Sequence, residues 1–142
     1  MSKITIKDFP FHYRLQTRWK DLDSFGHVNN AVFLTYFEDA RIDFFRRWNI
    51  SGKRESLIMA SVKLDYLRQM GHPLALIIGQ RISRIGNRSF DIHAAIFSEN
   101  DSNPFAVTTI SCVCFNYEKN KAVPVFDVIK ADYQKSIDHN AH

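Results

Sequence analysis

Three features of this chain predict an α+β fold. A stretch of strict apolar–polar alternation lies near the start, one long amphipathic segment follows it, and alternating segments fill most of the remainder. The chain has 142 residues, the usual size of a single domain and enough to bury a real core. Glycines and prolines are scattered, and no repeat, low-complexity tract or linker divides it. One domain over residues 1–142 is therefore expected.

From Phe11 to Trp19, the residues Tyr13, Leu15, Thr17 and Trp19 alternate with His12, Arg14, Gln16 and Arg18. That pattern is a half-buried strand. Lys20 to Asn29 is a polar loop containing Gly26. Asn30 to Trp48 reads as a helix, because Phe33, Phe37, Ala40, Phe44 and Trp48 recur at spacings that stack them on one face. Leu34, Tyr36 and Phe45 widen the stripe, which then wants broad cover of the kind a curved sheet gives. Asn29 and Asn30 are natural N-cap residues, and Asn49 and Gly52 end the helix.

Strands are expected over Leu57 to Arg68, with Ile58, Ala60, Val62, Leu64 and Tyr66 on one face, and over Leu74 to Ile85, Ser89 to Ser98 and Phe105 to Tyr117. Gly86-Asn87 and Glu99 to Pro104 read as turns, and Val125 to Ile137 as a terminal helix. Short loops imply antiparallel neighbours. One helix cannot cover both faces of such a sheet, so a second copy is expected on the other face or on an edge, giving a homo-oligomer.

The net charge is +4, from 19 Lys+Arg against 15 Asp+Glu. This mild excess fits a phosphorylated ligand or an acidic carrier protein. Without a dense basic run or a nucleic-acid-binding motif, nucleic acid is not expected as a partner. Twelve Phe suit a thick core or a pocket for something flat or greasy. Cys112 and Cys114, two apart on a strand, read as small apolar fillers in a reducing compartment. The N-terminal stretch from Met1 to Asp8 has no apolar leader segment, and no apolar run is long enough for a bilayer. A cytoplasmic protein with no membrane partner is expected.

The chemistry is concentrated between Arg18 and Asn30, in the loop joining the first strand to the helix. Asp21, Asp23, Gly26, His27, Asn29 and Asn30 all fall there. A helix N-terminus offers free backbone N–H groups and partial positive charge, and can polarise a carbonyl oxygen. A carboxylate in the same loop can attack the carbonyl carbon or activate water, so acyl transfer is a natural reaction class. A plainer reading makes these ordinary loop and cap residues, with Asp21 or Asp23 only offsetting the helix dipole. A third has Asp21, Asp23 and His27 binding a divalent ion, but no second histidine stands at a suitable spacing. No metal is expected.

Asp21-Leu22-Asp23-Ser24-Phe25-Gly26-His27-Val28-Asn29-Asn30, followed by Tyr36-Phe37-Glu38-Asp39-Ala40-Arg41, resembles the motif of 4-hydroxybenzoyl-CoA thioesterase-like proteins, a group of hotdog-fold acyl-CoA thioesterases. The Gly-His-Val-Asn-Asn run is also similar to that of acyl-carrier-protein thioesterases. Leu64 to Arg68 resembles the family's Tyr-Leu-Arg strand end, Arg84 to Phe90 its Gly-x-x-Ser turn, and Val123-Pro124 its segment before the terminal helix. The likeness spans about Phe9 to Tyr133. One stretch departs from it: Gln69-Met70-Gly71-His72-Pro73 stands where family members often carry a proline and an acidic turn residue.

The resemblance implies a hotdog fold, in which a five-stranded antiparallel sheet wraps one long helix. It implies dimers, often paired into tetramers, with active sites at the subunit interface. It implies Asp23 as the catalytic carboxylate, nucleophile or general base, and the backbone N–H of Asn30 as the holder of the thioester oxygen. His27 is expected to orient substrate or water, or to brace the loop. Phe25, Gly26, Val28, Asn29 and Phe33 are expected around the substrate. Apart from the resemblance, Arg84, Arg88 and Ser89, together with Lys53 and Arg54, are candidates for holding the coenzyme A phosphates, although each taken singly reads as solvated surface. Glu38 and Arg41 are spaced to pair on the helix. No cofactor is expected, since coenzyme A enters as part of the substrate. Two alternatives are an acyl-carrier-protein thioesterase and a non-catalytic acyl-binding protein of the same fold. A pure binder has no use for Asp23.

Overall fold

The computed structural model describes residues 3–140. Met1, Ser2, Ala141 and His142, the ends of the expected domain span, lie outside the described residues. Strands β1 (Phe11–Gln16), β2 (Glu55–Tyr66), β3 (Ala75–Ile85), β4 (Ser89–Ser98) and β5 (Ala106–Asn116) form one antiparallel sheet, in the order β1-β3-β4-β5-β2. A two-residue β6 (Lys121–Ala122) pairs with the end of β5. Helix α1 (Asn30–Arg46) lies against one face of the sheet, and α2 (Asp127–Asn140) ends the described chain. No helix among the described residues is long and apolar enough to cross a membrane.

The fold buries most of the predicted stripe on α1, but Leu34, expected to widen it, is exposed. Phe33, Tyr36, Phe37, Ala40 and Phe44 are all buried. They meet Leu76 and Ile78 of β3, Ile92, Ala94 and Ile96 of β4, and Ala106 and Ile110 of β5. Each large side chain so buried contributes about 1.5–3 kcal/mol. Gln80, buried in β3, donates from Nε2 to the carbonyl of Ala40 at 3.0 Å, which fixes the helix against the sheet. Ile129 of α2 joins the cluster around Phe44 and Trp48.

Three expectations change. β1 ends at Gln16, and Trp19 begins a short 3-10 turn (Trp19–Asp21) where its ring is 79% exposed. Strands β2 and β3 are not neighbours: β4 and β5 lie between them, and residues 67–74 cross from one side of the sheet to the other. The alternation along β2 also breaks. Met59 stands opposite buried Cys112, whereas Ser61 stands opposite Ser111, so Ala60 is an extra residue in the ladder. The bulge turns Leu57 and Met59 toward the helix side, together with Val62, Leu64 and Tyr66. Ile58 goes to the opposite face.

Part of the second face is covered by the chain itself. Phe9, with Ile4 and Ile6, packs on Ala95, Phe97 and Val107. Gly79 permits this, because a Cβ there would sit 2.7 Å from the Phe9 ring. The opposite edge has no such cover among the described residues. β2 is an outer strand and leaves Ile58, Met59, Val62 and Tyr66 exposed.

Candidate active site

The loop from Asp21 to Asn29 folds back on itself as a miniature hairpin. Leu22 and Val28 bridge, and the Asp23 N–H donates to the His27 carbonyl at 2.8 Å. The Gly26 N–H closes the turn on the Asp23 carbonyl at 3.2 Å. Gly26 does so at φ +81°, a conformation glycine adopts without the penalty a side chain brings. This turn holds the Asp23 carboxylate by one oxygen: Oδ1 accepts from the Phe25 N–H at 2.9 Å and the His27 N–H at 3.2 Å. Oδ2 accepts no hydrogen bond among the described residues, and Asp23 is exposed.

Asn29 caps α1. Its Oδ1 accepts from the Ala31 N–H at 2.9 Å, and its own N–H donates to the Asp21 carbonyl at 2.9 Å. Asn30, expected as a second cap, is instead the first helical residue. Its N–H makes no hydrogen bond among the described residues. That is one of the orphan donors a helix N-terminus leaves over.

The other aspartate is used differently. Asp21 is 3% exposed. Its Oδ2 accepts the Tyr36 hydroxyl at 2.6 Å and the Arg18 Nε–H at 3.1 Å, while Oδ1 accepts from Arg18 Nη2 at 3.0 Å. Burial works to raise the Asp21 pKa, but the hydrogen bonds from Arg18 and Tyr36 outweigh it and hold the carboxyl below its ordinary range. The Tyr36 hydroxyl is pushed well up, by burial first and by the anionic acceptor second. Asp21 thus ties the loop to the middle of α1.

Asp23, His27, Val28, Asn29, Asn30 and Phe33 line one cleft of about 580 Å³, closed on its far side by residues 66–69. Tyr66 spans the two walls. Its hydroxyl donates to the Asn30 carbonyl at 2.8 Å, and its ring lies 5.2 Å from that of Phe33. Arg68 is a brace, bonded to Asp101 at 2.9 Å and to the Asn103 carbonyl at 2.6 Å, with its guanidinium over Phe105. The stretch that departs from the family pattern is fastened to the loop. The carbonyl of buried Met70 accepts the Val28 N–H at 2.8 Å, and the Thr17 hydroxyl meets His72 Nδ1 at 2.8 Å.

The fold therefore gathers most of the expected site but not all of it. Phe25 is 85% exposed at the tip of the turn, and neither it nor Gly26 lines the cleft. Arg84, Arg88 and Ser89 lie toward the other end of the sheet. Ala75 at the start of β3 pairs with Gln16 near the loop, and Arg84 is nine residues further on, about 30 Å along the strand. Arg84 is also engaged, with Asp91 at 2.9 Å and with the Ser89 hydroxyl at 3.2 Å. Glu38 and Arg41 do pair on the helix, at 3.9 Å, with Arg41 largely buried. Tyr66, Leu67 and Gln69 line the cleft without having been marked as site residues. The Tyr-Leu-Arg strand end was visible in the sequence, but nothing local tells that β2 ends beside the helix N-terminus. Among the described residues no three His, Cys, Asp or Glu side chains come together to hold a metal ion.

Comparison with known proteins places this architecture. The family model of the thioesterase-like superfamily matches residues 17–132. The protein YsmA of Bacillus subtilis is 32% identical over 118 residues, covering 81% of this chain and 79% of its own. The long-chain acyl-CoA thioesterase FadM of Escherichia coli is 24% identical over 115 residues, covering 78% and 86%. A Thermus thermophilus thioesterase solved in complex with coenzyme A and zinc superposes with a TM-score of 0.76 at 29% identity, covering 88% of this chain and 98% of that one. The chain belongs to the thioesterase-like superfamily and is a thioester hydrolase of the hotdog fold.

Proposed function

We infer that this protein hydrolyses acyl-CoA thioesters to the free acid and coenzyme A, with Asp23 as the catalytic carboxylate. The observation that carries the reading is the juxtaposition in one cleft of a carboxylate with a free oxygen and a helix N-terminus with an uncommitted N–H. The thioester oxygen sits at the Asn30 N–H, where the helix end stabilises the negative charge that develops on it. Asp23 Oδ2, on the carbon side, attacks directly or takes a proton from the attacking water. With water as the nucleophile, the C–S bond breaks and the proton that Asp23 took passes to the departing coenzyme A thiolate, leaving the free acid. With Asp23 as the nucleophile, C–S cleavage leaves an acyl–aspartyl anhydride, which water then hydrolyses to the free acid while supplying the thiolate's proton. His27 and the side chain of Asn29 border the reacting atoms, and Val28 and Phe33 give the acyl group an apolar wall. The acyl-CoA named for the Escherichia coli relative and the coenzyme A in the Thermus thermophilus complex support this substrate class.

A homo-oligomer belongs to the same reading. The uncovered β2 edge and its exposed apolar residues call for a second copy. The test is release of free thiol across a panel of aromatic, branched, short-chain and long-chain acyl-CoA esters. Turnover of at least one class is expected. No turnover of any CoA ester would end the acyl-CoA reading, and turnover of acyl-carrier-protein esters alone would transfer it to that substrate.

A further inference from the structure

A second cavity, of about 310 Å³, opens at the other end of α1. It lies between the start of β1 and the last turns of the helix, and it shares no residue with the cleft of Asp23. Asp43, which lines it, is thirteen residues beyond Asn30, about 20 Å along the helix axis. The rings of Phe11 and Phe44 form apolar walls, set edge to face with their centres 4.8 Å apart. Gln80 reaches the cavity from β3. It is 3% exposed, and its Nε2 is spent on the Ala40 carbonyl. Its Oε1 accepts no hydrogen bond among the described residues. None of their side-chain polar atoms is both fully enclosed and unpartnered, so Oε1 meets open space, and the cavity is the space that Gln80 lines. A buried amide oxygen without a donor is costly, and one that faces a cavity calls for a donor inside it.

The neighbouring groups decide what charge that donor carries. Arg47 brings a cation to the cavity, but the charge is already spent. Its Nε and Nη2 bond Asp132 at 2.9 and 3.2 Å, and its guanidinium lies over the Phe11 ring, 3.9 Å from the centre. Asp43 makes no ion pair among the described residues, so its carboxylate is the uncompensated charge of the cavity. His12 Nε2 donates to the Phe9 carbonyl at 2.8 Å, because a carbonyl can only accept, and in the neutral ring this leaves Nδ1 as an acceptor. Apart from the remaining N–H bonds of Arg47, the free groups are therefore acceptors. We propose that this cavity binds a small organic primary ammonium ion, its N–H bonds shared between Asp43 and Gln80 Oε1 and its apolar body against Phe11 and Phe44. The charge-assisted bond to Asp43 supplies strength, and the buried oxygen of Gln80 supplies direction. Small-molecule sites run from about 300 to 1,000 Å³. This one stands at the lower limit, which suits a ligand of a single ring and is too small for an acyl-CoA. The site stands apart from the acyl-CoA reading, since it uses neither Asp23 nor turnover.

Titration calorimetry on the whole protein, with benzylamine as the probe, tests this. Saturable binding with a Kd below about 1 mM is expected at pH 7. Three relatives of the probe sort the chemistry. Benzyltrimethylammonium keeps the charge without N–H donors, benzyl alcohol keeps a donor without the charge, and benzoate reverses the charge. Each should bind about tenfold more weakly or not at all. Asp43→Asn, at an exposed position, should weaken benzylamine about tenfold or more and leave thiol release unchanged. Gln80→Met should weaken it severalfold, with a melting curve recorded to show that the chain still folds without the bond to Ala40. If that variant does not fold, Asp43→Asn still decides. Asp23→Asn should bind benzylamine as the wild type does. Loss of binding there would place the amine in the other cleft and overturn the proposal. So would no saturable binding, equal binding of the trimethylated ion or of benzoate, or an Asp43→Asn chain that binds like the wild type.

Discussion

Asp21 and Asp23 stand two residues apart in one loop, yet they live in opposite surroundings. Asp21 is buried, with a tyrosine hydroxyl and a guanidinium saturating its oxygens. Asp23 is exposed, held through Oδ1 by two backbone N–H groups of its own turn, with Oδ2 left over. A carboxylate whose hydrogen bonds are all made inward has nothing to offer a substrate. One that is anchored by a single oxygen is both positioned and available. On the proposed mechanism the pair separates scaffold from chemistry within three residues, and substitution at each should fail in a different way.

The largest effect is expected at Asp23. In Asp23→Asn the amide oxygen still accepts the two N–H bonds of the turn, so the loop keeps its shape while the base or nucleophile is gone. Thiol release should fall by about 10²–10⁴-fold, with the melting temperature unchanged within about 2 °C. Full turnover on a good substrate would remove Asp23 from the mechanism.

Asp21→Asn should do the reverse. The amide cannot serve Arg18 and Tyr36 as an anion does, and stability should drop by about 2 kcal/mol, read by chemical denaturation at pH 7. The pH dependence gives a second readout. The folded-state pKa of Asp21 is depressed, so its contribution is fully present above the unfolded value of about 3.9 and is lost as the pH falls through the folded one. The gap between wild type and variant should therefore hold down to about pH 4 and close only below it. A gap that closes at neutral pH, or one absent at pH 7, would deny Asp21 the anchoring role.

The sequence carried this contrast only in part. The period of Phe33, Phe37, Ala40 and Phe44 announces α1 because helix burial follows a local rhythm. The loop motif marks Asp23 because its companions recur in order along the chain. What decides between the two aspartates is not local. Asp21 becomes structural only because Tyr36, fifteen residues on, turns its hydroxyl back toward the loop. Tyr66 enters the cleft only because β2 lies at the sheet edge beside the start of α1, which strand alternation does not encode. The bulge at Ala60 was likewise hidden, since Ile58, Ala60 and Val62 read as one regular face until the ladder to β5 is seen.

The smallest expected effect tests where scaffold ends, at Tyr66. It touches both categories: it lines the cleft with Asp23, yet its hydroxyl is spent on the Asn30 carbonyl. In Tyr66→Phe the contact with Phe33 survives and only that hydrogen bond is lost. The site is partly solvated, so water can take over the carbonyl, and the cost should stay under about 1 kcal/mol. If Tyr66 merely steadies the helix end, kcat should fall by less than about tenfold, a misalignment effect, while KM stays near the wild-type value. Steady-state kinetics on the best CoA ester reads both. A loss of a hundredfold or more in kcat would mean that the hydroxyl reaches the reacting thioester in the complex. Tyr66 would then join Asp23 on the chemical side of the divide.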